Sequence, residues 1–185
     1  MLSELTAREK EPLLKHPTVP TLKATLFLLF YNLVESVIYK SFEMIFDSIA
    51  ENCDSFNKLN PYVKKQYKRY DKQSAMNEAE LLSLSLPKYL NNVTLFSGNL
   101  DARSIRKLMN DWGVNSDFHS QGEEKLLDIK SYRNALAHGE RSFKDVGRNY
   151  TMREMCRYGK ILYDYLHTLI QVVETYLNSK GYMAT

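Results

Sequence analysis

The sequence predicts an all-α fold, a single bundle of four to five main helices. Its 185 residues contain only 7 glycines and 5 prolines, so turns are few and the elements between them are long. Apolar residues recur at three- and four-residue steps over long stretches, which is the spacing of one helix face. A chain of this length can bury one compact core, and it is too short for two ordinary domains without a visible linker.

The longest such stretch runs from residue 21 to about residue 52, and we expect it to form the central helix of the bundle. Asn32 and Glu35 interrupt it, whereas a membrane span needs about 20 apolar residues. The segment is therefore predicted to be a buried helix of a soluble protein. The apolar face predicted for it consists of Leu22, Leu26, Leu29, Leu33, Val37, Phe42, Ile45 and Ile49.

Capping residues, glycines and prolines predict where the other helices begin and end. Thr151 and Glu154 form a capping box that predicts the start of a long final helix. The stretches 114–122 and 141–150 are predicted to be loops. Residues 1–20 are predicted to form an N-terminal arm before a helical domain at 21–182. The further helices are expected at 61–70, 75–86 (ending at or before Pro87), 101–113, 123–138 and 151–178.

Composition excludes few classes of function. The net charge of +3 is too slight to identify a nucleic-acid-binding protein. Cys53 and Cys156 form no C-x-x-C pair and the histidines lack metal-ligand spacing, so we expect no metal site and no cofactor. The N-terminal residues do not have the pattern of a signal peptide. These features predict a cytoplasmic protein that makes no contact with a membrane.

Arg133, Asn134 and His138 stand together at the end of the helix predicted at 123–138. Asn134 and His138 are four residues apart and share a helix face. Arg133 and His138 are separated by about 140° around the axis, so one chain cannot easily hold one small ligand between them. A twofold dimer would bring two such sets around one cleft.

Such a cleft suits cleavage of RNA by its own 2′-hydroxyl. His138 would act as general base or acid, since an unperturbed imidazole has a pKa of about 6.5. Arg133 would hold the phosphate, Asn134 would orient the imidazole or the phosphate, and no metal is required. Arginine and histidine near a helix C-terminus are also ordinary capping residues, and spacing alone favours that interpretation.

The string R-N-A-L-A-H-G at 133–139 resembles the signature of the HEPN superfamily, in which an Arg precedes a His by four to six residues. Similarity to the MAE-type HEPN-like nucleases of bacterial defence loci extends to 29–35, 96–101, 104–106 and 142–148. The resemblance covers roughly residues 22–182. It implies a helical, dimeric, metal-independent ribonuclease that acts as a toxin or abortive-infection effector.

Carried over by position, the resemblance makes Arg133 and His138 the catalytic pair and Asn134 the polar member of the site. A related group of HEPN toxins carries, two residues after the His, a Tyr that a partner nucleotidyltransferase modifies; here Glu140 stands there. RNA, a second copy of the chain and an antitoxin or defence-system protein are the partners implied. The alternatives are a non-catalytic module that binds RNA or nucleotides, or a dimerisation domain.

Other polar residues are candidates for supporting roles. Glu35, near Asn32, either pairs with Arg133 or a nearby cation or lies in water at the edge of the bundle. Basic residues with tyrosines at 62–72 either bind RNA or form an ordinary charged surface, which is the more common case. The residues expected to bind RNA near the catalytic set are Arg141, Arg153, Arg157 and Lys160.

Overall fold

A computed structural model describes residues 16–74, 76–96, 98–115 and 123–184. Over these ranges the chain is mostly helical, with eight α-helices and no strand. Five helices have ten residues or more, which confirms the predicted all-α fold with four to five main helices. The helices are α1 (Val19–Asn52), α2 (Pro61–Ser74), α3 (Glu78–Leu82), α4 (Leu86–Leu90), α5 (Ala102–Asp111), α6 (Glu123–Ala137), α7 (Phe143–Arg148) and α8 (Met152–Asn178).

Local signals placed several helix ends correctly. α2 begins at Pro61, and Asp101 caps α5 by accepting a hydrogen bond from the backbone N–H of Ser104 at 2.8 Å. The predicted capping box is present at the start of α8. The backbone N–H of Thr151 donates to Glu154 Oε2 at 2.7 Å, and that of Glu154 donates to Thr151 Oγ1 at 3.2 Å.

The helix predicted at 75–86 is wrong. The chain forms α3 and α4 instead, with Ser85 as the N-cap of α4. Pro87 lies in the first turn of α4, where a missing N–H costs no hydrogen bond. The proline therefore opens a helix at the position where the sequence pattern predicted the end of one.

The loop predicted at 141–150 is also wrong, because α7 lies within it. Ser142 is the N-cap of α7 and accepts a hydrogen bond from the backbone N–H of Asp145 at 3.1 Å. Six residues are too few to show an apolar period, so the cap was the only local signal. Most of the predicted arm at 1–20 and of the predicted loop at 114–122 lies outside the described residues.

The chain divides into two compact units, and α1 and α8 contribute segments to both. The first unit contains the described parts of 1–34 and 119–166, and the second contains those of 35–118 and 167–185. The single domain at 21–182 stays a prediction.

Aromatic side chains form the core of the first unit. Phe27 stacks on Tyr132 with ring centroids 4.7 Å apart and meets Tyr150 and Tyr158 edge-on at 5.2 and 5.4 Å. Ala24, Phe27, Tyr31 and Val34 are the buried residues on this part of α1. Their burial fixes which side of α1 faces inward.

Part of the apolar face predicted for α1 is consequently wrong. Leu22, Leu29 and Leu33 are 63%, 55% and 48% exposed, although Phe42, Ile45 and Ile49 are buried as predicted. The first half of α1 is apolar nearly all round, so its periodicity does not determine which side packs. Phe27 and Tyr31 are buried there, and Leu22, Leu29 and Leu33 form a separate exposed stripe.

The second unit is built around Trp112. The indole contacts Phe42 and Phe46 with centroids 5.4 and 5.2 Å apart, and Tyr89 packs against it at 5.7 Å. Tyr182, which is fully buried, accepts a backbone hydrogen bond from the N–H of Asn60 at 2.8 Å. An isolated antiparallel bridge between Leu59 and Met183 adds a further link within this unit.

Among the described residues, α1 is the one helix long and apolar enough to cross a membrane by length and composition. Core helices of soluble proteins pass the same test.

Candidate active site

The predicted catalytic residues lie at the C-terminal end of α6. Arg133 and Asn134 are in its last turns and are half-buried, whereas His138 directly follows the helix and is exposed. The backbone N–H of His138 donates to the carbonyl of Asn134 at 2.9 Å, so the helical turn continues to the histidine. Gly139 then takes a φ of +71°, the left-handed conformation that ends many helices.

Arg133 is oriented by contacts on two sides. Its guanidinium carbon lies 4.4 Å from the centroid of the Tyr31 ring, and its Nη1 donates a hydrogen bond to Asn134 Oδ1 at 2.9 Å. Tyr31 is only 1% exposed, so the ring provides a fixed surface for the cation. The structure therefore brings Arg133 and Asn134 together and places His138 one turn further on.

Tyr31 is a site residue that the sequence analysis missed. It lies four residues after Phe27 on the most apolar helix, where an aromatic residue is most simply explained as core. The signal that could have found it is its polar neighbour Asn32 in the family-like string at 29–35. Only the packing of α1 against α6 shows that its ring lies against an arginine.

The basic residues predicted on α8 lie along one groove. Arg153, Arg157 and Lys160 are exposed and line a groove of about 420 Å³ together with Glu154 and Cys156. Lys160 also lies 3.3 Å from Asp164, an exposed ion pair that contributes little to stability. Three cations and one carboxylate stand at the groove, and the surface that lines it is otherwise mostly apolar.

Arg141 lies in the turn after α6. Its guanidinium carbon is 5.8 Å from the centroid of Tyr132, and its backbone N–H donates to the carbonyl of Ala135 at 3.2 Å. The residue is exposed and is held close to the C-terminal end of α6.

The two polar residues predicted to support the site differ in environment. Asn32 is exposed on the part of α1 in the first unit, and Glu35 is half-buried and belongs to the second unit. The pairing of Glu35 with Arg133 stays a prediction.

The basic and aromatic stretch on α2 has the geometry of a charged surface. Tyr67 and Tyr70, the aromatic residues that would stack on bases, are 0% and 3% exposed and belong to the core. Lys65, Lys68 and Arg69 point to solvent. Because no nucleobase can reach the two buried rings, the structure favours the ordinary interpretation of this stretch.

A second cavity, of about 330 Å³, lies in the first unit between α6 and the start of α8. Tyr132, Tyr150 and Tyr158 line it, with Asp128 and Arg157. Burial, followed by hydrogen bonds with Tyr132 and Tyr158, raises the pKa of Tyr150 well above its ordinary value. The cavity was not predicted, since its residues come from two helices separated by α7.

No group of three or more His, Cys, Asp or Glu side chains that could hold a metal ion occurs in the described ranges.

The chain is mostly helical in its described ranges and carries an Arg-Asn-x-x-x-His segment at the end of α6. A family model described as HEPN_MAE_28990-like HEPN matches residues 3–182. The chain therefore belongs to this HEPN family, as the resemblance predicted. No curated protein and no solved structure matches it.

Proposed function

We propose that this protein is a metal-independent endoribonuclease that acts as a homodimer. The observation that carries the proposal is the arrangement at the end of α6. There, Tyr31 and Asn134 orient the Arg133 guanidinium, and His138 stands exposed one turn away. Membership of a HEPN family supports an RNase or a nucleotide-binding protein in general.

In the proposed reaction the RNA 2′-oxygen attacks the adjacent phosphorus. His138 of one copy accepts the proton of the 2′-hydroxyl, and His138 of the second copy donates a proton to the departing 5′-oxygen. The bond between phosphorus and the 5′-oxygen breaks, which leaves a 2′,3′-cyclic phosphate and a 5′-hydroxyl. Arg133 holds the non-bridging oxygens as negative charge grows on them.

The dimer is proposed because the side chains of Arg133 and His138 leave the helix about 140° apart. A twofold axis near the end of α6 places the histidine of each copy near the arginine of the other. Leu22, Leu29 and Leu33 offer apolar surface that a second copy can cover, with steps of seven and four residues along α1.

The basic groove on α8 is the proposed path of the RNA backbone. Arg153, Arg157, Lys160 and, after α6, Arg141 supply sequence-independent contacts to phosphates, so binding weakens as the salt concentration rises. A cytoplasmic toxin or abortive-infection role, restrained by an antitoxin or another defence protein, is proposed on family membership alone.

Incubation of the purified protein with total RNA in EDTA tests the proposal. The wild type should fragment the RNA and His138→Ala should not, although the variant still binds it. His16→Ala, which removes another exposed histidine, is the matched control and should cut like the wild type. Equal cutting by wild type and His138→Ala would remove His138 from the mechanism.

The main alternative is a non-catalytic module in which Arg133 and His138 hold RNA or a nucleotide. This alternative predicts that no version cuts and that His138→Ala weakens RNA binding. Cutting that disappears with His138→Ala while RNA affinity is retained would exclude it.

A further inference from the structure

The cavity between α6 and the start of α8 has the size and walls of a binding site for a small aromatic group. Its volume of about 330 Å³ is at the lower end of the range for ligand pockets. Three tyrosines contribute to the walls, one from α6, one just before α8 and one from α8 itself: Tyr132, Tyr150 and Tyr158.

The three rings support one another. Tyr150 meets Tyr132 with centroids 5.5 Å apart at 89°, and it meets Tyr158 at 5.8 Å and 87°. Phe27 packs against all three from the core of the first unit. The rings are therefore fixed before any ligand binds, which lowers the entropy lost on binding. Stacking on aromatic side chains accepts any base and contributes about 1–3 kcal/mol per base.

Asp128 supplies a hydrogen-bond acceptor at the same cavity. The Tyr158 hydroxyl donates to Asp128 Oδ2 at 2.8 Å, and Lys125 Nζ lies 3.1 Å from the same oxygen. Both contacts use Oδ2, so the carboxylate is held in place and Oδ1 can accept from an amino group. An amino group of this kind is present on cytosine at N4.

Arg157 connects the cavity with the basic groove. Arg157 and Glu154 line both, and in the groove Arg157 stands between Arg153 and Lys160. A sugar–phosphate backbone that follows the groove would therefore pass the mouth of the cavity. Tyr132 directly precedes Arg133 on α6, so one helical turn carries both a cavity wall and the arginine of the candidate active site.

We infer that this cavity binds one unpaired nucleobase of the RNA, next to the nucleotide at which the chain is cut. The half-buried rings of Tyr132 and Tyr150 stack on the base, Asp128 accepts from its amino group, and Arg157 holds the neighbouring phosphate. The inference rests on the proposed ribonuclease function for its ligand, and it makes the enzyme one that requires single-stranded RNA.

Two RNA probes, one with bases and one without, distinguish binding of a base from binding of the sugar–phosphate backbone. Labelled hexacytidylate and a hexamer with the same backbone and abasic sugars are titrated into His138→Ala protein, which leaves the RNA intact. Adding Tyr150→Leu should weaken hexacytidylate binding by about 5- to 150-fold, the range that corresponds to the loss of one stacked base. The same change should leave the affinity for the abasic hexamer within twofold.

Tyr163→Leu is the matched control, because Tyr163 is a 66% exposed tyrosine on α8 that does not line the cavity. It should bind both probes like the parent protein. Unchanged hexacytidylate affinity in Tyr150→Leu, or an equal loss for both probes, would overturn the inference.

A second measurement uses protein in which every residue of the cavity is unchanged. Hexamers that carry 5-iodocytidine are crosslinked by light to His138→Ala protein, and the modified residues are mapped. Crosslinks to Tyr132 or Tyr150 are expected, and crosslinks that map only elsewhere would refute the site. Neither measurement uses RNA cutting, so failure of the base site and failure of the ribonuclease proposal are observed separately.

Discussion

The guanidinium of Arg133 lies against the face of Tyr31, with 4.4 Å between the guanidinium carbon and the ring centroid. The tyrosine comes from α1 and the arginine from α6, and both belong to the first unit. A long arginine side chain samples many rotamers unless its surroundings restrict it. Tyr31 therefore acts as a positioning residue for the proposed phosphate-binding group.

Replacing Tyr31 with leucine should lower RNA cutting by about 2- to 30-fold, the equivalent of a lost cation–π contact of about 0.5–2 kcal/mol. The defect should appear mainly in kcat, because the arginine loses its orientation and keeps its charge. Tyr31→Phe retains the ring and should recover most of the activity. Single-turnover cutting of a short RNA measures this, and equal rates for the leucine and phenylalanine variants would contradict the assignment.

Gly147 allows α7 to approach the start of α1 closely. A Cβ atom at this position would lie 1.7 Å from the carbonyl oxygen of Pro20, and a backbone atom cannot move away as a side chain can. Gly147→Ala should therefore destabilise the first unit by about 1–3 kcal/mol, as overpacking does. Lys144→Ala, an exposed change on the same helix, should stay within about 0.5 kcal/mol of the wild type.

Thermal and urea unfolding of these two variants provide the measurement. Equal stability of Gly147→Ala and Lys144→Ala would show that α7 does not need the close approach.

Replacing either of two buried tyrosines of the second unit with phenylalanine should change the free energy of unfolding, but in different directions. The Tyr67 hydroxyl is buried and has no hydrogen-bond partner among the described residues, whereas the Tyr176 hydroxyl donates to the carbonyl of Trp112 at 3.0 Å. Tyr67→Phe should be neutral or stabilising by up to about 1 kcal/mol, and Tyr176→Phe should cost about 1 kcal/mol or more. Chemical denaturation measures the unfolding free energies of the two variants. A larger loss for Tyr67→Phe than for Tyr176→Phe would disprove the hydrogen-bond assignment.

Tyr89 should make stability sensitive to alkaline pH. Burial raises the pKa of Tyr89 to about 12, whereas a tyrosine in an unfolded chain titrates near 10. The contribution of Tyr89 to folding stability is complete below pH 10 and is lost as the pH rises from about 10 to 12. In this range the hydroxyl is already ionised in the unfolded chain and still protonated in the folded one. The loss is about 1.4 kcal/mol per pH unit within this window.

Tyr89→Phe keeps the ring that packs on Phe46 and Trp112 and removes the titrating hydroxyl. Its unfolding free energy should fall less steeply than that of the wild type between pH 10 and 12. Tyr62→Phe, which removes an exposed hydroxyl, should follow the wild-type curve. Parallel curves for all three proteins would exclude Tyr89 as a source of the alkaline loss.

Local signals in the sequence predicted the long helices well. Thr151, Asp101 and Pro61 act within a few residues of themselves, so their effect on the backbone could be recognised without tertiary information. The three short helices, α3, α4 and α7, have only five or six residues each. They form through caps and packing, and they are too short for an apolar periodicity to predict them.

The candidate site was predictable where it is contiguous in sequence. Arg133, Asn134 and His138 lie within six consecutive positions, and their spacing resembles that of a known family. Tyr31 and the tyrosine cavity join residues distant along the chain. Which side of α1 is buried depends on these tertiary contacts, because both sides carry large apolar residues.

Tyr182 is fully buried in the second unit, where its backbone carbonyl accepts from Asn60 and its hydroxyl accepts from Ser48 at 2.9 Å. These contacts link the C-terminal segment to residues made more than a hundred positions earlier. The ribosome must therefore synthesise and release residue 182 before this core can close. A nascent chain that stalls before residue 182 therefore leaves the core of the second unit incomplete, however stable its other contacts are.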